Sequence, residues 1–392
     1  MSPTTNRVAL SELISIKHGF AFRGEDITTV KHPYFLVTPG NFQVGGGFKL
    51  GKLKYFSGEV PAAYVLREGD LVVTMTDLSK NIDTLGFAAT IPRLPSGLTA
   101  LHNQRIGLIE IKSQHLDRRW LEYRLRAADY RAEVIASSTG TTVHHTSPGR
   151  ILAFELELPP PEEQRAIAAT LGALDDKIES NRRLIQLIPS LIRAKVIAAS
   201  QPGSRSVPVS ELASFVNGGA FTRGASGSGR MVIRIAELNS GPGGSTVYND
   251  IEVPDEKTAR AGDILMSWSG SLGVYRWFRD EAVINQHIFK VIPADFPAWL
   301  VFDRLDAIMP VFRGLAADKA TTMGHIQRGH LTSVEVDVPD QSALDNLSAE
   351  VAPLWERLLL AEREVLSLES LRNTLLPELL SGRLSAALET RE

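Results

Sequence analysis

Apolar residues recur every three or four positions along two stretches of the chain, one near the middle and one near the C-terminus. This spacing places them on one face of an α-helix, and a sustained seam of this kind is typical of coiled coils. The first seam skips one position, at Asn181, and a helix over residues 162–199 would be ~55 Å long at 1.5 Å per residue. The predicted seam residues are Leu171, Leu174, Ile178, Ile185 and Ile188 in the first helix, and Val351, Leu354, Leu358, Val365 and Leu368 in the second.

Two single seams in one chain bury each other most economically when the two helices run antiparallel, with a globular unit at each end. The alternative is that each helix packs only on its own neighbouring domain, although seams of this length exceed the face that one domain offers. We expect Pro189 to bend the first helix, because a proline in a helix interior removes one backbone hydrogen bond.

Shorter patterns ahead of each helix predict strands and short helices. Residues 154–158 and 334–338 alternate apolar and acidic side chains, which is the period of a strand with one solvated face. Gly-Asp pairs at 69–70 and 262–263 predict turns that lead into apolar strands. Residues 118–136 and 297–315 have helical patterns. Each globular part is therefore predicted to be mixed α/β.

The chain also repeats itself once, in collinear order. VALSEL at 8–13 returns as VPVSEL at 207–212, 199 residues later, GDL at 69–71 returns as GDI at 262–264, and NQRI at 103–106 returns as NQHI at 285–288. Thr141, Thr142 and His145 meet their counterparts 180 residues later. The spacing shrinks steadily along the chain, as loop deletions in the second copy would produce, and an internal duplication on this scale predicts two structural repeats.

These patterns predict an α+β fold with an internal pseudo-two-fold repeat. Residues 1–158 form a first globular domain, 159–200 a first long helix, 201–338 a second globular domain, and 339–392 a second long helix with a tail. A length of 392 residues agrees with two domains of ordinary size.

Composition narrows the function classes. Hydrophobic residues make up 43% and charged residues 22% of the chain, which is typical of globular proteins, and there is no cysteine. Disulfides, thiolate metal sites and cysteine nucleophiles are therefore excluded. The N-terminus has no apolar segment of the signal-peptide kind, and no stretch approaches the ~18 apolar residues of a membrane helix, so we expect a cytoplasmic protein.

The net charge of −3 hides an uneven distribution. It is +3 over residues 1–158, +1 over 159–200, −2 over 201–338 and −5 over 339–392. A basic face for nucleic acid can therefore exist in the first half despite the acidic total.

The sequence contains no complete catalytic motif. The run GGFKLGKL at 46–53 approaches a phosphate-binding loop, but Leu53 stands where a hydroxyl must meet magnesium. His144 and His145 have no carboxylate or thiolate residue nearby in the sequence that could complete a metal site. The charged residues at 254–257 are adjacent, whereas a metal-dependent nuclease site needs its acidic residues separated along the chain. The sequence predicts no catalytic residues, no bound metal and no cofactor.

Several segments resemble one family. LPPPEEQRAIA at 158–168 resembles the helix start of type I restriction-modification specificity (S) subunits, and LLPELLSGRL at 375–384 resembles their C-terminal signature. GDIL at 262–265, INQHIF at 284–289 and TMGHI at 322–326 are similar to their target recognition domains. The resemblance covers nearly the whole chain. One departure is DQSAL at 340–344, which replaces the usual start of the second helix and predicts a looser junction.

The resemblance implies a non-catalytic subunit that binds double-stranded DNA. Each recognition domain would read one half of a bipartite target, and the antiparallel helices would set the spacer between the halves. Two methyltransferase (M) subunits would dock mainly on the helices, and restriction/translocase (R) subunits would join that complex. Because the two domains differ in sequence, the two half-sites should differ as well.

The resemblance does not supply the DNA contacts, since recognition residues vary within such a family. We therefore choose polar and basic side chains able to reach phosphates or base edges from loops, with an ordinary solvated role as the alternative for each. The candidates are Lys49, Lys52, Lys54, Thr141, Thr142 and His145 in the first domain, and Arg223, Arg230, Ser267, Ser269, Thr322, His325, Gln327 and Arg328 in the second. The repeated Asn-Gln pairs at 103–104 and 285–286 are expected to be structural.

Three other functions remain open from the sequence. A coiled-coil scaffold that clamps two proteins would explain the helices without DNA. The specificity subunit of a related methylating system that cuts outside its target would share the DNA reading but not the partners. An enzyme with an unrecognised site is the third.

Overall fold

The computed structural model of the chain describes residues 7–200, 204–317 and 324–386. It is an α+β fold in which two mixed α/β domains are each followed by one long helix, as the sequence predicts. By contacts the described residues divide into two units. The first holds the residues up to Asp176 and those from Glu369 onward, and the second runs from Lys177 to Leu368. Each long helix therefore contributes to both units.

The first domain contains thirteen short strands and four short helices in its described part. Its largest sheet has five strands in the order β3-β5-β4-β10-β6, and a second sheet has four strands in the order β2-β11-β7-β9. The elements are β1 (Arg7–Ala9), α1 (Leu10–Leu13), β2 (Ile14–His18), β3 (Ile27–Thr28), β4 (Tyr34–Val37), β5 (Lys54–Phe56), β6 (Val65–Leu66), β7 (Leu71–Thr74), β8 (Thr76–Asp77), β9 (Ala88–Thr90), β10 (Thr99–His102), β11 (Ile106–Ile111), α2 (Arg118–Arg124), α3 (Ala128–Ala136), β12 (His144–His145), α4 (Pro148–Leu152) and β13 (Glu155–Glu157), with 3₁₀ turns at Gly24–Asp26, Pro39–Asn41 and Ala62–Tyr64.

After the first long helix, α5 (Pro161–Ala199), the second domain repeats this topology. The sheet β15-β22-β19-β20 has the same connections as β2-β11-β7-β9, and β17-β16-β21-β18 corresponds to the larger sheet. Its elements are β14 (Arg205–Pro208), α6 (Val209–Leu212), β15 (Ala213–Asn217), β16 (Arg230–Ile233), α7 (Ile235–Ser240), β17 (Tyr248–Asn249), β18 (Thr258–Ala259), β19 (Ile264–Ser267), β20 (Gly273–Arg276), β21 (Ala282–Ile284), β22 (Ile288–Pro293), α8 (Ala298–Ala317), α9 (Arg328–Ser333) and β23 (Glu335–Val338), with a 3₁₀ turn at Asp255–Lys257 before the second long helix, α10 (Gln341–Leu380).

The repeated Gly-Asp pair forms the same turn in both domains. Gly69 and Gly262 both have positive φ, a conformation that favours glycine. The carboxylate of Asp70 accepts a hydrogen bond from the backbone N–H of Arg67 at 2.8 Å, and that of Asp263 accepts one from Arg260 at 2.7 Å. The buried strands β7 and β19 follow directly, as the sequence predicts.

Two other predictions are confirmed with small changes. Strands β13 and β23 lie where the alternation of apolar and acidic residues predicts them, and they pair antiparallel with β1 and β14. The first of the two helical stretches is split into α2 and α3 by residues 125–127, whereas the second is the single helix α8, which continues through Pro310.

In the first unit, the beginning of α5 lies against the end of α10. Leu171 is fully buried in the same core cluster as Leu379, and Leu174 is half-buried. The carboxylate of Asp175 receives a hydrogen bond from Arg372. The two segments therefore contact each other in antiparallel order within this unit.

In the second unit, the end of α5 lies against the beginning of α10. Ion pairs or hydrogen bonds join Lys195 to Glu350 and Asn181 to Glu364, which again is antiparallel order. Asn181, which interrupts the seam pattern, is fully buried and bonds to Arg357 as well. The remaining seam residues of this unit are buried at Ile178, Ile188, Val351 and Leu358, and half-buried at Ile185, Leu354, Val365 and Leu368.

The first turns of the two long helices are held by different contacts. In α5, the fully buried Gln164 donates its amide hydrogens to the carbonyl oxygens of His115 (2.9 Å) and Pro159 (2.7 Å), which ties the helix to the first domain. In α10, Leu344 is buried in the core at the corresponding place, and Asp340 accepts a hydrogen bond from the backbone N–H of Ala343 at 2.9 Å. The expected looser junction is thus held by a helix cap and an apolar contact.

Candidate nucleic-acid interface

The three candidate lysines of the first domain follow a run of three glycines with positive φ. Lys49, Lys52 and Lys54 are exposed, and none has a side-chain partner among the described residues. The segment is held by Asn41, whose side-chain amide donates to the carbonyl oxygens of Lys49 (3.3 Å) and Leu50 (3.0 Å). Exposed, unpaired ammonium groups on a fixed backbone are suited to phosphate contacts.

The repeat-end candidates of the first domain lie on a two-stranded ladder. Strand β12 pairs antiparallel with β8, which sets His145 opposite Thr76, and Nδ1 of His145 lies 3.2 Å from Oγ1 of Thr76. The backbone of His145 also pairs with Thr139, so Thr141 and Thr142 occupy the exposed turn between them.

The second domain contains the same pairing. Ser269 and His325 form an isolated antiparallel bridge, and Oγ of Ser269 lies 3.0 Å from Nδ1 of His287. Ser269 stands 193 residues after Thr76, and His325 stands 180 residues after His145, which are the spacings of the sequence repeat in these regions. The structure thus brings together, in each domain, a hydroxyl residue and a histidine that are far apart in the sequence.

Three other candidates of the second domain, Arg223, Gln327 and Arg328, are exposed. Gln327 and Arg328 lie at the beginning of α9, and Arg223 lies in the glycine-rich segment ahead of β16. Thr322 lies outside the described residues.

Ser267 is a correction to the sequence prediction. Its side chain is fully buried in β19, where Oγ donates to the carbonyl oxygen of Ser271 (2.6 Å) and accepts from the backbone N–H of Gly273 (2.9 Å). Because both hydrogen-bonding functions are used to close the hairpin, this hydroxyl does not reach DNA. Sequence alone did not distinguish it from the accessible Ser269 two positions later.

Arg230 is also engaged within the protein. Its guanidinium donates to the carboxylate of Glu281 at 2.8 Å and to the carbonyl oxygen of Ile251 at 2.8 Å. The carboxylate of Glu281 therefore compensates the charge of Arg230 within the domain. Arg230 is for this reason no longer a candidate for DNA contact.

The repeated Asn-Gln pairs mark a close approach of two backbones. A Cβ atom on Gly19 would lie 2.0 Å from the carbonyl oxygen of Asn103, and one on Gly218 would lie 2.2 Å from that of Ile284. Phe20 pairs with Asn103 through an isolated parallel bridge. These contacts require glycine at positions 19 and 218 and account for the recurrence of that glycine in both domains.

The first domain is attached to the helices by a buried ionic network that the sequence patterns do not reveal. Asp175 of α5 accepts hydrogen bonds from Tyr123 (2.8 Å), Arg126 (3.3 Å) and Arg372 (2.7 Å), and Arg126 also pairs with Glu122. Burial alone would raise the pKa of Asp175, but the two guanidinium groups hold that pKa below its ordinary value. Burial raises the pKa of the Tyr123 hydroxyl.

A different contact occupies the matching position of the second domain. Arg276 of β20 stacks on the ring of Trp355 at 4.2 Å and donates to Glu362 at 2.6 Å. Burial lowers the pKa of Arg276 and raises the pKa of Glu362. Trp355 follows Asp175 by 180 residues, so equivalent helix positions are ionic in one unit and aromatic in the other.

Within residues 7–200, 204–317 and 324–386, no group of three or more histidine, aspartate or glutamate side chains is arranged to hold a metal ion. No helix in those ranges is both long and apolar enough to cross a membrane.

The fold is also found in a solved structure. The solved structure of the S subunit of a type I restriction-modification system from M. genitalium superposes with a TM-score of 0.62 over 97% of this chain and 97% of that one, at 15% identity. At this identity the similarity is one of fold.

The sequence relatives carry the assignment further. The family model of the type I restriction modification DNA specificity domain matches residues 8–190, and the resemblance seen in the sequence is confirmed. A curated relative, the type I restriction enzyme EcoBI specificity subunit of Escherichia coli, is 28% identical over 200 residues. That alignment covers 50% of this chain and 38% of the relative.

Proposed function

We propose that the chain is the non-catalytic DNA-specificity subunit of a type I restriction-modification complex. Residues 1–158 and 201–338 act as two target recognition domains, and residues 159–200 and 339–392 supply the helices. Each domain reads one half of a bipartite, asymmetric DNA target, and the helices set the spacer between the halves. Acting on cellular DNA, the complex works in the cytoplasm.

The observation that supports this proposal most directly is the recurrence of the ladder at the repeat end. Thr76 pairs with His145, and Ser269 pairs with His325, at equivalent points of two domains that share one topology, and both histidines are exposed. Around these points the two domains carry different residues. A shared frame with different exposed side chains is what reading two unlike half-sites requires.

We further propose that M subunits dock on the helices, with R subunits joining that complex. A stripe of exposed apolar residues on α5 supports this. Leu187 and Leu191 are 65% and 44% exposed, and Ala194 and Ala198 continue the same face at helical spacing. An apolar stripe that is left exposed on a helix is typical of a protein-binding surface.

The test is co-expression of the full chain with its methyltransferase subunit, followed by methylome sequencing. We expect methylation of a split, asymmetric DNA motif by a complex with two M subunits per chain. An intact complex that produces no split motif would refute the proposal.

In a second experiment, residues 1–158 are exchanged for the first domain of another family member. Only one half of the motif should change.

A further inference from the structure

The hairpin between β7 and β9 of the first domain is longer than its counterpart in the second. Leu71 pairs with Thr90, nineteen positions later, whereas the corresponding Ile264 pairs with Arg276, twelve positions later. The first domain thus has seven additional residues in this hairpin. They form a loop over residues 78–84, which we call the insertion loop, and the second domain has no equivalent of it.

The insertion loop is closed by one buried carboxylate. Asp77 accepts hydrogen bonds from the backbone N–H of Ser79 (2.6 Å) and from both the N–H and the hydroxyl of Thr84, which lie at the two ends of the loop. Inside this ring, Oγ of Ser79 accepts from the N–H of Asp83 at 2.8 Å. The loop therefore has a defined shape although it lies at the surface.

Ile82 fixes the loop to the domain at the cost of backbone strain. It has φ of +55°, which a β-branched residue rarely adopts, and it is the one non-glycine residue with positive φ in the described part of the chain. Its side chain packs against the core, and its carbonyl oxygen accepts a hydrogen bond from Arg131 at 2.8 Å. Arg131 is itself stacked on Phe87 at 4.0 Å. Strain of this kind is kept where a conformation serves function.

The fixed loop presents three side chains to solvent. Leu78 is 56% exposed, and Lys80 and Asn81 are exposed without a side-chain partner among the described residues. An asparagine amide can pair with both the N6 and the N7 of adenine, a lysine can donate to guanine, and an apolar side chain can contact the methyl group of thymine. These are the contact types that distinguish base pairs in the major groove.

The insertion loop also lies next to the repeat-end candidates for DNA contact. It leaves the fold directly after β8, the strand that pairs with His144 and His145. The insertion loop and the repeat-end candidates thus extend from the same two-stranded ladder.

We propose that the insertion loop reads bases in the half-site of the first domain, with Lys80 and Asn81 as specificity-determining residues. This inference rests on the proposed function, because it assumes that the domain binds a half-site. The loop is present in one domain only, so its contribution is confined to one half of the motif.

The test uses the full chain in complex with its methyltransferase subunits and compares wild type with Lys80→Ala/Asn81→Ala. Methylome sequencing and methylation rates on substituted duplexes are the readouts. We expect the half-site of the first domain to become degenerate at one or two positions, with discrimination there reduced on the order of 10-fold for each lost contact. The other half-site keeps its sequence.

Lys31→Ala is the matched control, since Lys31 is another exposed lysine of the same domain without a side-chain partner among the described residues. It should leave the motif unchanged. An unchanged motif for the double variant, or equal weakening on all sequences, would show that the loop contacts only backbone or nothing, and would overturn the inference. A wild-type complex without any split motif would instead refute the proposed function, and the inference with it.

Discussion

Oδ1 of Asp175 lies 2.7 Å from Nη1 of Arg372, which joins the first long helix to the last one within the first unit. The other carboxylate oxygen of Asp175 receives Tyr123 and the buried Arg126 from the first domain. One carboxylate thus connects the domain and both helices of its unit.

Replacing Asp175 by asparagine should destabilise the first unit by about 3 kcal/mol, because the buried charge of Arg126 loses a compensating partner. Chemical denaturation of the purified chain measures this change. The matched control is Asp176→Asn next to it, since Asp176 pairs with Arg119 at an exposed position and should contribute less than about 1 kcal/mol. Equal effects of the two substitutions would contradict the importance of the network.

The same carboxylate predicts a pH dependence. Its pKa is lowered in the folded chain, so the stabilisation is present above the ordinary aspartate pKa and is lost as the pH falls through the lower, folded value. The difference in unfolding free energy between wild type and Asp175→Asn should therefore shrink below about pH 4. Denaturation curves at neutral and acidic pH test this, and a constant difference would exclude ionisation of Asp175 as its cause.

Alanine at Gly19 or Gly218 should destabilise the chain by about 1–3 kcal/mol, because the new Cβ would overlap a backbone carbonyl oxygen. Thermal unfolding measures the loss. Gly149 in α4 serves as the control, since a Cβ there meets no atom within 4 Å, and alanine in a helix is favoured over glycine. Gly149→Ala should be neutral or stabilising.

Alanine at Lys49, Lys52 and Lys54 together should weaken DNA binding by the complex to a similar extent on all sequences. Phosphate contacts carry no base preference, and losing three of them should reduce the slope of log K against log salt by about 2–3. Fluorescence anisotropy at several salt concentrations gives both quantities. Arg230→Ala should change neither, because that guanidinium is paired with Glu281.

Glutamate at Leu187 and Leu191 should prevent assembly with the M subunit while leaving the chain folded, because both side chains are exposed. Co-purification tests assembly, and circular dichroism tests folding. Leu358→Ala is the contrasting variant. Its buried side chain should cost about 2–5 kcal/mol of stability, but the folded fraction should still bind the partner. Binding by the double glutamate variant would place the docking surface elsewhere.

Much of the fold is predictable from the sequence because its signals are local or repeat in order. The spacing of Leu171 and Leu358 within their seams predicts the long helices, and the Gly-Asp pairs at 69–70 and 262–263 predict the turns before β7 and β19. The candidate site is less predictable. Ser267 and Ser269 have the same side chain two positions apart, but only Ser269 lies outside the buried hairpin hydrogen bonds.

The sequence by itself determined the duplication, the mixed α/β domains and the resemblance to one family, since these depend on periodicity and on the order of short motifs. Only the tertiary structure decided which polar side chains are accessible and which are used inside the protein. Pairs such as Arg126 with Asp175, or Thr76 with His145, join residues far apart in the chain. Their contact depends on how the whole domain packs, and burial and charge pairing at each site follow from that packing.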